Sequence, residues 1–357
     1  MSRTQIDHLP AVAEKSARRA SSSSDSTDQG RTKRRGGGIG RTALRVVGGA
    51  VLLMASAIAG GIVYEATASG ASAIVPPAGR LIDVGGYRLH LDCQGRGSPT
   101  VVMDAGLGGA SLDWSLVQPT LQKTTRVCVY DRAGMGWSDR RDGVPTPSHL
   151  ADELHTLLSN AGEAGPFVLV GHSLAGKNVR LFAAAFPAEV SGMVLIDARS
   201  ELIDRQMSAA DTDGFDSALK AQAVASSLAR HAGLVRLLGG ALVGEPLLSG
   251  KTAIEMALLQ TEPAAINETY AEGMVRSSDD AVLAHQSLGT LPLTIIAAEQ
   301  NMTGLSGWAA AQASLAHLST RGRLLIAKGS GHYVQLEKPE LVILSIEEVI
   351  ATVRSES

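Results

Sequence analysis

The sequence predicts an α/β fold: a mostly parallel eight-stranded sheet with helices on both faces, carrying a helical insertion and preceded by one transmembrane helix. Three observations carry that reading. Beyond residue 80, short runs dense in Val, Ile and Leu alternate with helix-like stretches, as in strands buried on both faces and joined by crossover helices. The alternation stops over about residues 200–289, where the sequence reads as helix alone. Ahead of all this, Val46 to Tyr64 is a run of 19 residues without a charge. As a helix it extends about 28 Å, close to the hydrocarbon thickness of a bilayer.

The chain has 357 residues, a formal net charge of −3 and a 45% hydrophobic fraction. That fraction supports a core and excludes wholesale disorder. The charge is unevenly divided. Residues 1–45 hold ten Lys/Arg and four Asp/Glu, a net of +6, and the remainder holds 22 against 31, a net of −9. The basic segment, with its Ser21 to Ser24 and Gly36 to Gly38 tracts, cannot bury enough apolar area to offset chain entropy, so 1–45 is expected to be disordered. Basic residues before the apolar run set the N-terminus in the cytoplasm and the remainder outside. Residues 46–64 then serve as a signal anchor. Secretion after cleavage is the alternative, because Ala66-Thr67-Ala68 and Ala71-Ser72-Ala73 fit the small-residue cleavage pattern. Residues 65–79, with Val75-Pro76-Pro77, read as a linker, and 80–357 as one domain with a helical lid near 200–289.

Within that domain, Arg80 to Val84 and Tyr87 to Cys93 flank Gly85-Gly86, a two-residue hairpin turn. Six further strands follow: Thr100 to Asp104, Arg126 to Tyr130, Phe167 to Val170, Gly192 to Asp197, Leu293 to Ala298 and Arg323 to Ala327. Helices are expected over His149 to Ala161, Lys177 to Phe186, Gly307 to His317 and Pro339 to Val353. Leu234 to Leu248, charged only at Arg236 and Glu245, is apolar enough to sit in a lid core or line a pocket.

Chemistry concentrates where strands end. Phe167 to Val170 runs into Gly171-His172-Ser173-Leu174-Ala175-Gly176 and then a helix. A nucleophilic serine needs such a strand–turn–helix to project into the cleft at the C-terminal sheet edge. The pattern is G-x-S-x-A, one methyl larger at its last position than the usual G-x-S-x-G. His332 follows the last strand in Gly329-Ser330-Gly331-His332-Tyr333, so it reaches the same edge and can act as the base. His172 reads as packing or pocket wall, since neighbours on a tight turn point apart. The negative charge of an acyl-transfer intermediate calls for backbone donors. The turn Ala105 to Gly109 offers the Leu107 N–H, and Leu174 offers the second.

These motifs, with Ala105 to Trp114, Tyr130 to Asp139, Gly171 to Gly176 and Ser330 to Tyr333 in order, resemble the α/β-hydrolase fold family, in particular its serine esterase and lipase-like members. The resemblance covers residue 80 or so to the C-terminus. It implies a Ser-His-acid triad, an acyl-enzyme and no cofactor or metal. It also implies structural roles for Asp131 and Asp139. In much of the family the acid follows the penultimate strand, but Asn301 stands there. Dehalogenase-like members place it after the strand following the nucleophile, where this chain has Asp197. Asp197 is therefore the favoured acid and Glu299 the alternative. A serine nucleophile disfavours dehalogenase and epoxide-hydrolase chemistry, which run through a carboxylate ester. The expected substrate is a small-molecule or lipid carboxylic ester; amide or peptide hydrolysis and a catalytically silent ligand-binding role are alternatives. In the resembling fold the strands bearing Cys93 and Cys128 are neighbours, so a disulfide follows if the domain is exported, and two buried thiols if it is not. Two cysteines exclude a Cys-only zinc site. The low net charge and lack of a basic motif give no nucleic-acid partner. With 3% aromatic residues, the expected aromatic pocket walls are Trp114, Trp137, Trp308 and Tyr333.

Overall fold

The computed structural model describes residues 38–71, 78–238, 247–275 and 279–356. By compactness the chain divides into two units, Met1–Leu53 and Met54–Ser357. What is described of the first is the opening of helix α1, Gly38–Ala71. The helix covers the apolar run and also extends past it on both sides, so residues 38–45 and 65–71 are helical where disorder and linker were expected. The rest of the basic segment and Val75 to Pro77 lie outside the described residues. Among the described residues, no helix is long and apolar enough to cross a membrane. The structure therefore does not support the transmembrane reading of 46–64, which rests on the uncharged run alone.

The second unit holds an eight-stranded sheet in the order β1-β2-β4-β3-β5-β6-β7-β8. The strands are β1 Arg80–Asp83, β2 Arg88–Gln94, β3 Thr100–Asp104, β4 Val127–Tyr130, β5 Phe167–His172, β6 Val190–Ile196, β7 Leu293–Ala298 and β8 Gly322–Ala327. The opening hairpin pairs antiparallel, with Gly85 and Gly86 at φ of 112° and 107° where a side chain is disfavoured. β2 also pairs antiparallel with β4, and every later pairing is parallel. The predicted sheet is thus present with small shifts at strand ends. β8 departs from the expected burial on both faces. It is the sheet edge, and Ile326 is 48% exposed.

The longer helices after α1 are α2 Pro147–Ala161, α3 Ala175–Ala185, α4 Ala209–His231, α5 Gly250–Gln260, α6 Pro263–Met274, α7 Trp308–Ala316 and α8 Pro339–Glu356. Strand side chains alternate between two cores. Leu169, Leu195 and Ile295 face Leu154, Val179, Phe182 and Leu315 of α2, α3 and α7. Val168, Val170, Val194 and Ile296 face Trp114, Leu121 and Val342, Ile346 and Val349 of α8. β3, β5 and β7 are fully buried and β6 is buried at all but Ser191, because helices cover both faces. The insertion is helical as expected, with α4, α5 and α6 its main elements. Part of the apolar stretch 234–248 lies outside the described residues.

Parallel pairing aligns strand ends. Asp104 pairs with Gly171, His172 with Ile196, and Ala298 with Ala327. The C-terminal ends of β3, β5, β6, β7 and β8 therefore share one edge, and the side chains just past them converge there.

Candidate active site

Ser173 sits at the turn between β5 and α3 with φ 53°, a left-handed conformation costing a non-glycine residue about 1–3 kcal/mol. The surroundings enforce it. Ser173 N–H donates to the Ile196 carbonyl at 3.0 Å, and the Ser173 carbonyl accepts from Arg199 N–H at 2.9 Å and Gly176 N–H at 3.1 Å. The turn needs small residues. A Cβ at Gly171 would lie 2.7 Å from the Ala175 carbonyl oxygen, and one at Gly176 would lie 2.5 Å from Ala198 Cβ. Ala175, the departure from the usual motif, fits fully buried.

The structure brings three of the predicted side chains into one hydrogen-bonded chain. His332 Nε2 lies 2.9 Å from Ser173 Oγ, and His332 Nδ1 lies 2.6 Å from Asp197 Oδ2. Asp197 follows β6 at φ 40° and is wholly buried; it and Ser173 are the two non-glycine residues with positive φ among the described residues. Its carboxylate is held from every side. Oδ1 accepts from Ala298 N–H at 3.0 Å and Trp308 Nε1–H at 2.8 Å, and Oδ2 also accepts from Asn301 Nδ2–H at 2.5 Å. Glu299, the alternative acid, does not reach His332. Its Oε2 accepts from Gly329 N–H at 2.8 Å, bracing the loop that carries the histidine. Asn301 occupies the position where an acid was expected and donates to the acid on the neighbouring strand. Its Nδ2 is also 3.3 Å from His332 Nδ1. Two donors face each other there if Nδ1 keeps its proton toward Asp197, so the useful bond is the one to Asp197.

His172 is fully buried. Its Nε2–H donates to the His332 carbonyl at 3.0 Å, fixing the main chain at His332. Burial pushes its pKa well below 6.5, and the nearby His332 ring adds to the shift, so His172 stays neutral. Gly106 passes beside it; a Cβ there would lie 2.9 Å from His172 Nδ1 and 3.1 Å from Ser173 Cβ. Leu107 and Leu174, the two expected donors, both line the cavity beside Ser173. Leu174 is the residue capping α3, where N–H groups have no partner within the helix. Among the described residues, no backbone carbonyl takes either N–H.

The cavity is about 480 Å³. One wall is the turn 106–109; the other is the insertion, through Phe215, Leu219 and Gln222 of α4 and Ile266, Thr269 and Tyr270 of α6. Of the four aromatic residues expected to line it, only Tyr333 does. Trp114 is core, Trp137 packs on His90 at 5.4 Å, and Trp308 serves Asp197. Phe215 and Tyr270 take that place, and only their position in the insertion could have marked them. Asp131 ties its loop down, accepting from Ser111 N–H at 2.6 Å and Trp137 N–H at 3.1 Å and meeting His90 Nδ1 at 2.9 Å. Asp139 pairs with Arg88 at 2.8 Å.

Cys93 and Cys128 face each other in the β2–β4 register and are joined by a disulfide. With Glu163 they are the one His/Cys/Asp/Glu trio close enough to share a metal among the described residues, and both thiols are consumed by that bond.

A family model described as the alpha/beta hydrolase fold matches residues 99–339. An AB hydrolase superfamily protein of Gibberella zeae is 25% identical over 295 residues, covering 72% of this chain and 87% of that protein. A thermophilic esterase from Thermogutta terrifontis superposes with a TM-score of 0.59 at 19% identity, covering 78% of this chain and 99% of the esterase. The epoxide hydrolase CorEH superposes at 0.61 and 19% identity, covering 77% and 99%. Two other curated relatives match locally, and this chain spans only 16% and 18% of their lengths. Neighbours with different chemistries share the sheet, so these likenesses speak to architecture. Strand order, elbow and a match across most of the sheet converge: the chain belongs to the α/β hydrolase fold family.

Proposed function

We propose that this hydrolase cleaves carboxylic esters through a serine acyl-enzyme. The observation that carries the reading is the chain Ser173 Oγ to His332 Nε2 at 2.9 Å and His332 Nδ1 to Asp197 at 2.6 Å, opening into the cavity. Ser173 Oγ attacks the ester carbonyl while His332 Nε2 takes its proton. Asp197 holds the imidazole with Nε2 toward serine and stabilises the imidazolium. The Leu107 and Leu174 N–H groups receive the oxyanion. His332 then protonates the departing alkoxide and next activates the water that releases the acid and restores Ser173.

The nucleophile separates this reading from that of the epoxide-hydrolase neighbour. Serine opening an epoxide would leave an ether, which an activated water does not hydrolyse, whereas a carboxylate leaves a cleavable ester. The substrate is a small-molecule or lipid ester. We also propose, from sequence alone, that the domain works outside the cytoplasm behind residues 46–64; the Cys93–Cys128 disulfide favours an oxidising compartment.

A chain-length series of p-nitrophenyl esters tests the activity. Wild type is expected to turn over, and Ser173→Ala to lose roughly 10⁶-fold in kcat. Turnover that survives Ser173→Ala sinks the proposal. The preferred acyl length distinguishes esterase from lipase.

A further inference from the structure

Arg132, in the loop after β4, is buried, and all five of its N–H donors are spent. Nη1 donates to Asp104 Oδ1 and to the Ala105 carbonyl, both at 2.6 Å. Nη2 donates to the Gly106 carbonyl at 2.7 Å and Glu272 Oε2 at 2.9 Å, and Nε to Glu272 Oε1 at 2.8 Å. Two of these acceptors are consecutive carbonyls of the turn expected to supply an oxyanion donor. The Gly106 carbonyl and the Leu107 N–H belong to one planar trans peptide and point in opposite directions. That carbonyl also accepts from Gly109 N–H at 3.1 Å; holding it there and on the guanidinium turns the Leu107 N–H the other way, and Leu107 lines the cavity beside Ser173. The remaining partner, Glu272, is on α6 of the insertion with its side chain 1% exposed. Four residues earlier on the same helix face, Glu268 pairs with Arg141.

We propose that Arg132 is a positioning residue for the oxyanion hole, and that Glu272 makes its grip depend on the seating of the insertion. The device rests on the acyl-transfer reading above. A seated α6 completes the bidentate pair, and the clamped Gly106 carbonyl keeps the Leu107 N–H aimed at the site of the oxyanion. With α6 displaced, the guanidinium loses two of its five acceptors and is free to release the turn. Substrate binding in the cavity and formation of the hole would then be coupled through one side chain.

The test compares Arg132→Lys and Glu272→Gln with wild type on three readouts: rate of Ser173 labelling by a fluorophosphonate, kcat against KM for an ester, and thermal midpoint. Lysine keeps the charge but cannot span both carbonyls and the carboxylate. It is expected to slow labelling and kcat by about 10²-fold, the scale of a lost oxyanion donor, with KM within a few-fold. Glu272→Gln, which keeps the side-chain shape, is expected to lower kcat by about tenfold with KM again held, a factor equal to about 1.4 kcal/mol. Labelling and kcat equal to wild type in folded variants overturn the inference and leave the serine mechanism standing. Loss confined to KM, or loss that tracks only the thermal midpoint, also overturns it. A wild type that is never labelled at Ser173 overturns both.

Discussion

The sheet edge and the insertion are held by different balances of force. Around Ser173 and Asp197 the strands are mostly apolar, and β3, β5 and β7 bury every residue. The insertion meets the sheet domain through a small apolar cluster, Leu248, Ala253 and Met256 against Ala110 and Leu336, and through a larger set of ion pairs. Glu272 meets Arg132, Glu268 meets Arg141, Asp204 and Asp280 meet Lys177, and Glu201 meets Arg180. In each pair the cation belongs to the sheet domain and the anion to the insertion. α4, by contrast, buries only Leu219 and Ser226. Apolar packing is non-directional and suits a scaffold that must not move. Buried ion pairs gain little net stability after desolvation but demand one register. The difference assigns fixed geometry for bond chemistry to the sheet edge, and a specifically seated, less tightly packed wall to the insertion.

The sharpest way to break the sheet side of this contrast is to remove its acid. Asp197→Asn preserves shape but is expected to lower kcat by about 10⁴-fold, because an amide neither selects the tautomer nor stabilises the imidazolium. Glu299→Gln, which changes only a brace to Gly329, is expected to stay within a few-fold. Steady-state kinetics on one ester decides. An intact Asp197→Asn with a dead Glu299→Gln would move the acid to β7 and dissolve the argument from burial.

A smaller effect sharpens the comparison from the far side of the sheet. The Cys93–Cys128 bond staples β2 to β4, away from the insertion. Replacing both cysteines with alanine is expected to cost about 2–4 kcal/mol of stability in urea unfolding, while kcat and KM of the folded fraction hold. Alkylation of unreduced protein followed by mass measurement should find no modified thiol. Two modified thiols would remove both the staple and its support for an exported domain.

What the sequence revealed follows the same division. Ser173 and His332 were legible because local signals announce them: a buried strand, a crowded turn, a helix, and a Gly-His after the last strand. Asp197 was legible through an absence, since the amide at Asn301 left the usual acid position empty. That Asn301 and Trp308 would both donate to Asp197 depends on side chains from two successive helices after β7, Glu299–Gly304 and α7, which no periodicity encodes. Arg132 lay in plain view between Asp131 and Ala133, but its meaning comes from Glu272, 140 residues away. Phe215 and Tyr270 were hidden for the same reason, since helical composition does not tell which face of an insertion turns toward a cavity. The start of α1 was missed because Gly38 and Gly40, read one by one, argue against the helix that includes them.

The insertion side can be probed most gently at Glu268. Burial, reinforced by repulsion from Glu272 and Glu153 and only partly offset by Arg141 and Arg132, raises its pKa to about 7. The folded state therefore holds this proton more tightly than the unfolded chain, whose glutamate titrates near 4.3. Its contribution to stability is full at low pH and declines as pH rises from there through about 7. Limited proteolysis of the insertion is thus expected to run a few-fold faster at pH 8 than at pH 6 in wild type. Glu268→Gln should flatten that dependence, because an amide mimics the neutral form at every pH, and His172, already neutral, adds nothing across this window. Catalysis on a small ester should change less than cleavage does, since Glu268 holds Arg141 and not the turn that Arg132 clamps. If Glu268→Gln keeps the full wild-type pH dependence, the proton on Glu268 does not govern how firmly the insertion is seated.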